Sequence, residues 1–184
     1  IMGHLGADIG IVHLDQLRVP DRQRLGPLHK GLSVAMGGVN TGRLGLAGAC
    51  VGMARWALHQ ALDYVKVRKT FGRLIAEHQA VQIMLAECAM DIYAVKSMLR
   101  HCAWLIDEGR SATKEVSMAK ACATEMVSRV VDKAIQVHGA IGLTNELRLE
   151  EAYRWARVLR IPDGTAEIQR RTIARRLLSG DTEI

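Results

Sequence analysis

Aromatic residues are nearly missing from this 184-residue chain: three Trp, three Tyr and a single Phe, 4% in all. That scarcity argues against a nucleic-acid-binding surface, which needs rings for bases to stack on. Proline is limited to Pro20, Pro27 and Pro162, so the strongest helix breaker is absent from Leu28 to Ile161 and the stretch points to a helical protein. Long apolar runs are lacking too. The best candidate, 44–54, is interrupted by glycines and flanked by Arg43 and Arg55, so no membrane span is expected. Residues 1–10 lack a basic segment followed by an apolar one, so no signal peptide is expected there. The four cysteines, at 50, 88, 102 and 122, form no CxxC pair. The seven histidines show no HxxxH or HExxH spacing, so no metal site is expected.

What is present is ordinary globular material, 49% hydrophobic and 24% charged, with 25 Lys+Arg against 19 Asp+Glu for a net charge of +6. The basic excess gathers near the C-terminus, at Arg170, Arg171, Arg175 and Arg176. There Ile168, Ile173, Leu177 and Leu178 make the segment amphipathic, which suits a solvated face, a subunit interface or an anionic small molecule. Cysteines on or beside apolar stripes read as buried, inert thiols in a reducing compartment.

Residues 9–20 alternate apolar and polar positions with one slip and stop at Pro20, which predicts a strand. Residues 21–30 read as a loop, and the period then becomes helical. Leu44, Ala47, Val51, Ala54, Leu58, Ala61 and Val65 form one stripe. Val81, Leu85, Cys88, Ile92, Val95, Leu99, Cys102 and Ile106 form a second that stops at Gly109. Val116, Ala119, Ala123, Met126, Val130, Ala134 and Val137 form a third. A shorter helix from about Glu146 to Arg160 and a last one capped by Thr165 follow, on either side of Pro162-Asp163-Gly164. The expected fold is all-α, an up-and-down four-helix-type bundle, preceded by a β-strand. Seven glycines between Gly31 and Gly52 ask for a reason, either close helix packing or a ligand against the backbone.

Three segments stand out from this frame: Arg68-Lys69-Thr70-Phe71-Gly72 with Glu77-His78-Gln79, Gln136-Val137-His138-Gly139-Ala140-Ile141-Gly142, and Ile161-Pro162-Asp163-Gly164-Thr165-Ala166-Glu167-Ile168-Gln169. Singly each has a local explanation: a basic loop opposing a helix dipole, a glycine helix stop, and a turn into a capped helix. In this order and at these intervals they resemble the C-terminal part of the acyl-CoA dehydrogenases, flavoenzymes that introduce an α,β double bond into acyl-CoA thioesters. The family's Arg-x-Thr-Phe-Gly and His-Gln are matched in full. Its Gln-x-x-Gly-Gly-x-Gly is matched with Ala140 for one glycine, and its Glu-Gly-Thr-x-x-Ile-Gln with Asp163 in the glutamate's place. The likeness runs from about Asp15 to the C-terminus.

The resemblance implies that residues 1–27 are the end of a middle β-domain with its linker and that 28–184 are the C-terminal bundle. It implies FAD contacts from Arg68, Thr70, Phe71, His78, Gln79, Gln136, Val137, His138, Gly139, Ala140, Thr165 and Glu167. It implies acyl-CoA contacts from Asn40, Arg43 and Gly164, and Asp163 as the base that takes the α-proton while hydride leaves the β-carbon for the flavin. Aspartate shortens the reach of that carboxylate by roughly 1.5 Å, one C–C bond. A homo-oligomer, dimer or tetramer, with FAD shared across subunits is implied. So are electron-transfer flavoprotein as acceptor and a bacterial cytoplasm or mitochondrial matrix as setting. A non-catalytic flavin-binding partner subunit of the same family is the alternative, and a nucleic-acid-binding relative a weaker one. The 184 residues suffice to fold a bundle, while catalysis is expected to need the preceding domains.

Overall fold

The computed structural model describes residues 2, 3, 6 and 9–183. The proline-free stretch does become helix. Helix α1 runs Gly31–Val65, α2 Gln79–Asp107 and α3 Thr113–His138. The shorter α4, Leu149–Val158, and α5, Ala166–Leu178, follow. Residues 9–20 depart from the expected order of elements: they are exposed throughout and form no strand. Their alternating pattern is real, but a strand needs a neighbour for its N–H and C=O groups, and no described segment lies alongside. The rest of the expected strand-and-linker segment, at residues 1, 4, 5, 7 and 8, lies outside the described residues.

The bundle is organised around α3. It buries the whole third stripe and, beyond it, Lys114, Ser117, Lys120, Thr124, Val127, Val131 and His138, because α1, α2, α4 and α5 all pack against it. Helix α1 meets α3 through Ala47, Cys50, Ala54, Ala57 and Ala61, whose small side chains let the two backbones come close. Arg43 and Lys120 both reach the 163–164 loop, and Tyr64 stacks on His138. The two helices therefore run in the same direction, as first and third members of an up-and-down bundle must. The second stripe holds up to Cys102, after which Leu105 takes the buried place expected of Ile106, which is 47% exposed. A three-residue step keeps the seam facing α3 in the last turn, before Gly109 at φ +68° ends the helix. Ion pairs Arg129–Asp91 (2.9 Å) and Lys133–Glu87 tie α2 to α3 near the surface.

The connection from α1 to α2 holds a miniature hairpin, β1 (Lys69–Thr70) paired antiparallel with β2 (Arg73–Leu74). Phe71 and Gly72, at φ +50° and +79°, are its two turn residues, both left-handed as a tight hairpin requires. Ile75 then buries its side chain and anchors the hairpin to the core.

Candidate active-site loop and cofactor-facing end

Two groups of the expected site residues assemble, at different heights on the bundle. The first surrounds Pro162-Asp163-Gly164, between α4 and α5. Asp163 and Gly164 are consecutive left-handed residues, φ +55° and +93°, and Asp is among the few side-chain-bearing residues that take this conformation readily. Three helices hold the turn. Arg43 of α1, nearly buried, donates from Nε to the Asp163 carbonyl at 2.7 Å and from a terminal nitrogen to Asn40 Oδ1 at 3.0 Å. Lys120 of α3, fully buried, donates from Nζ to the Gly164 carbonyl at 2.7 Å. Gln169 of α5 donates from Nε2 to both carbonyls, at 3.1 and 3.0 Å. Its Oε1 is buried without a partner among the described residues, so the amide is committed to the loop.

Among the described residues no side chain hydrogen-bonds the carboxylate itself, which lies against α1. A Cβ on Gly42 would stand 3.2 Å from Asp163 Oδ2. That answers the glycine question for one residue. Around Gly31, Gly37, Gly38, Gly45, Gly48 and Gly52 there is open space, so close packing of helices is not their reason. Thr165 caps α5, accepting from the Ile168 N–H at 3.4 Å. The Thr165 hydroxyl also holds the Glu167 carboxyl below its usual range, so that first turn already carries its own anion. Burial pushes the Lys120 ammonium down, with Arg43 adding to the effect and Asp163, Cys50 and Glu167 opposing it.

The second group sits where α1 and α3 end. His78 precedes α2 and knits the hairpin: Thr70 Oγ1 and His78 Nε2 are 3.3 Å apart, and an Arg73 terminal nitrogen donates to Nδ1 at 3.1 Å. Phe71 meets the His78 ring edge-on at 6.3 Å and is otherwise 96% exposed. Arg68 and Gln79 are exposed beside it. On α3, His138 is buried, donates from Nδ1 to the Ala134 carbonyl at 2.7 Å and stacks on Tyr64 with ring centroids 4.5 Å apart. Tyr64 thus joins the two expected flavin-contacting segments. Gly139, at φ +65°, turns the chain out of α3. Gln136, Gly139 and Ala140 face solvent, and Val137 is buried. Gly142 is required by close approach, since a Cβ there would lie 2.8 Å from the Ile135 carbonyl oxygen.

Sequence reasoning missed Lys120, and its signal was available. At i+4 from Val116 and i−3 from Ala123 it lies on the buried stripe, where an unpartnered lysine is not tolerated. Among the described residues no group of three or more His, Cys, Asp or Glu side chains could hold a metal ion, and no helix is long and apolar enough to cross a membrane.

A helical bundle that clamps a carboxylate-bearing turn from three helices, with a rigid aromatic hairpin at one end, defines the class. Residues 29–178 match the family model of the acyl-CoA dehydrogenase C-terminal domain. The chain belongs to the acyl-CoA dehydrogenase family. It is 40% identical to a caffeyl-CoA reductase–Etf complex subunit, CarC, of Acetobacterium woodii, over 96% of this chain and 47% of that one. Its structure is similar to butyryl-CoA dehydrogenase of Megasphaera elsdenii (TM-score 0.85, 32% identity, 87% of this chain and 42% of that one). It also resembles the FAD complex of PigA (TM-score 0.84, 27% identity, 89% and 43%). The chain thus spans about half the length of the curated relatives it matches.

Proposed function

We propose that the chain is the C-terminal part of an FAD-dependent enzyme that interconverts an acyl-CoA thioester and its α,β-unsaturated form, with Asp163 as the base for the α-proton. The observation that carries this is the Asp163 turn. Its backbone is fixed by Arg43, Lys120 and Gln169 while its carboxylate is left free to accept a proton. A fixed carboxylate of this kind supplies orientation, which is the larger part of what a base contributes to such a step. Asn40 and Arg43 border the turn on the side where the acyl-CoA would lie. Gly164, also expected to meet it, lets the turn close on Arg43 and Gln169, since a Cβ there would stand 3.2 and 3.0 Å from their side-chain nitrogens. Arg43 has the second task of holding the Asp163 carbonyl.

The hairpin end fits a flavin nucleotide. Phe71 presents a ring held in solvent by a rigid turn, Arg68 offers a planar fork for phosphate, and Gln136, Gly139 and Ala140 expose backbone. Bound FAD would supply the two-electron acceptor for the hydride that leaves the β-carbon. Thr70, His78 and Gln79 shape the hairpin side of that site, and Val137 and His138 fix its α3 side. Thr165 and Glu167 sit beside the Asp163 turn. Glu167's charge suits a hydroxyl donor better than a phosphate.

The two groups are far apart on one chain. Arg43 and Tyr64 are 21 residues apart on one helix, about 32 Å at 1.5 Å per residue. That spacing supports a homo-oligomer, dimer or tetramer, in which one copy's hairpin completes the flavin site holding another copy's Asp163. Residues 1–27 are then the end of a preceding β-domain, and the exposed Ile9, Ile11, Val12, Leu14, Leu17 and Val19 are its uncovered inner positions. Electron-transfer flavoprotein is the proposed redox partner, in a bacterial cytoplasm or the mitochondrial matrix. The test is anaerobic addition of an acyl-CoA panel to the full-length flavoprotein. Bleaching of the flavin by at least one member is expected. A flavin that none of them bleaches points instead to a non-catalytic partner subunit.

A further inference from the structure

Lys120 is the largest investment in the bundle that packing does not explain. It is fully buried on α3, with Asp163, Arg43, Cys50 and Glu167 as its charged and polar surroundings, and among the described residues its Nζ donates to one acceptor, the Gly164 carbonyl. Burying an ammonium is costly, and replacing one by an apolar side chain of similar volume is often neutral or stabilising. Stability alone is therefore a poor reason for a lysine here. What a lysine does that methionine does not is donate, over the full width of the α3–loop gap, to the carbonyl next to Asp163.

We propose that Lys120 is a positioning residue for the reaction: by holding the Gly164–Thr165 peptide at its carbonyl it fixes Gly164, and with it the left-handed Asp163-Gly164 turn, so that the Asp163 carboxylate stays aimed at the substrate's α-carbon. This rests on the reading of Asp163 as base. The other donors do not replace it. Arg43 holds only the Asp163 carbonyl, and Gln169 divides one nitrogen between both carbonyls, so without Lys120 the Gly164 carbonyl keeps only a shared bond. The Gly164–Thr165 peptide then has room to rotate, which loosens the C-terminal side of the turn that carries the Asp163 carboxylate.

The experiment compares Lys120→Met, Lys120→Gln and Asp163→Asn in the full-length, FAD-loaded protein. Three quantities are read at saturating acyl-CoA: the rate of flavin reduction, its isotope effect with α-deuterated substrate, and exchange of the substrate's α-hydrogen in D2O followed by mass spectrometry. A shift of half an ångström corresponds to about a tenfold loss, from the hundredfold cost of 1 Å. Lys120→Met is expected to lose about tenfold in both flavin reduction and exchange, with a larger isotope effect and KM within twofold. Asp163→Asn is expected to lose both altogether. Lys120→Gln, a shorter donor without charge, is expected to fall between wild type and Met, and it decides the matter if Met does not fold. Wild-type reduction and exchange in a Lys120 variant, beside an inactive Asp163→Asn, overturns the role of Lys120 and leaves the base in place. Losses matched by equal loss of bound FAD or of folded protein, at an unchanged isotope effect, also overturn it, because they mark a purely structural residue. Full exchange by Asp163→Asn overturns the base assignment itself, and this proposal with it.

Discussion

Gly42→Ala separates the stability of the bundle from its chemistry. Gly42 lies within α1 with helical φ, so alanine there removes backbone freedom from the unfolded chain and is worth about 1 kcal/mol of helix stability. For a chain of this size that raises Tm by about 2–4 °C. The new methyl, however, stands 3.2 Å from Asp163 Oδ2. Against a contact optimum of about 3.5 Å the carboxylate must give by roughly 0.3 Å. Scaling from a hundredfold loss per 1 Å, the proton-abstraction step slows about fourfold. Differential scanning calorimetry and stopped-flow flavin reduction on the same preparation check both halves. Stability should rise while the rate falls, with KM little changed. An unchanged rate would mean the carboxylate does not work from the position it occupies here, and a lowered Tm would mean the loop cannot yield to the methyl.

Three further predictions concern groups away from the turn. Gly142→Ala places a methyl 2.8 Å from the Ile135 carbonyl oxygen and 3.1 Å from His138 Cβ, so it should cost about 1–3 kcal/mol by overpacking, read as a lowered urea midpoint; an unchanged midpoint refutes the close approach. Burial pushes the Cys50 thiol up to about 12 from 9.0. Its contribution to stability is thus fully present below pH 9 and is lost as pH rises towards 12, because only the unfolded chain can ionise it. Urea midpoints measured from pH 8 to 11 should fall, and fall less in Cys50→Ala. In native protein a thiol reagent should reach Cys122 first, since Cys50, Cys88 and Cys102 are buried.

Much of the fold was legible because its signals are local. Apolar recurrence at three and four residues marked α1 to α3, Gly109 and Gly139 marked two stops, and Thr165 does cap α5. The strand over 9–20 failed for a non-local reason, since its pattern describes a partner that lies in no described segment. The hairpin at 69–74 escaped because its turn is Phe-Gly, which carries none of the usual Asn-Gly or Asp-Gly signal. At the site, the motif residues were readable one by one, but their grouping was not. That Arg43, Lys120 and Gln169 converge on two carbonyls depends on three helices meeting, and no spacing along the chain encodes it. The same holds for Tyr64 on His138, which joins residues 74 positions apart.

Whether Asp163 takes the α-proton is read from one rate constant. In the full-length FAD-loaded protein, Asp163→Asn keeps the turn, since asparagine also accepts the left-handed conformation, while removing the base. Anaerobic stopped-flow with a substrate that bleaches the wild-type flavin should then show FAD retained at wild-type stoichiometry and flavin reduction slowed by at least about a thousandfold, a threshold set between the 10²–10⁴ span of general-base contributions. Reduction at the wild-type rate would mean that Asp163 is not the base.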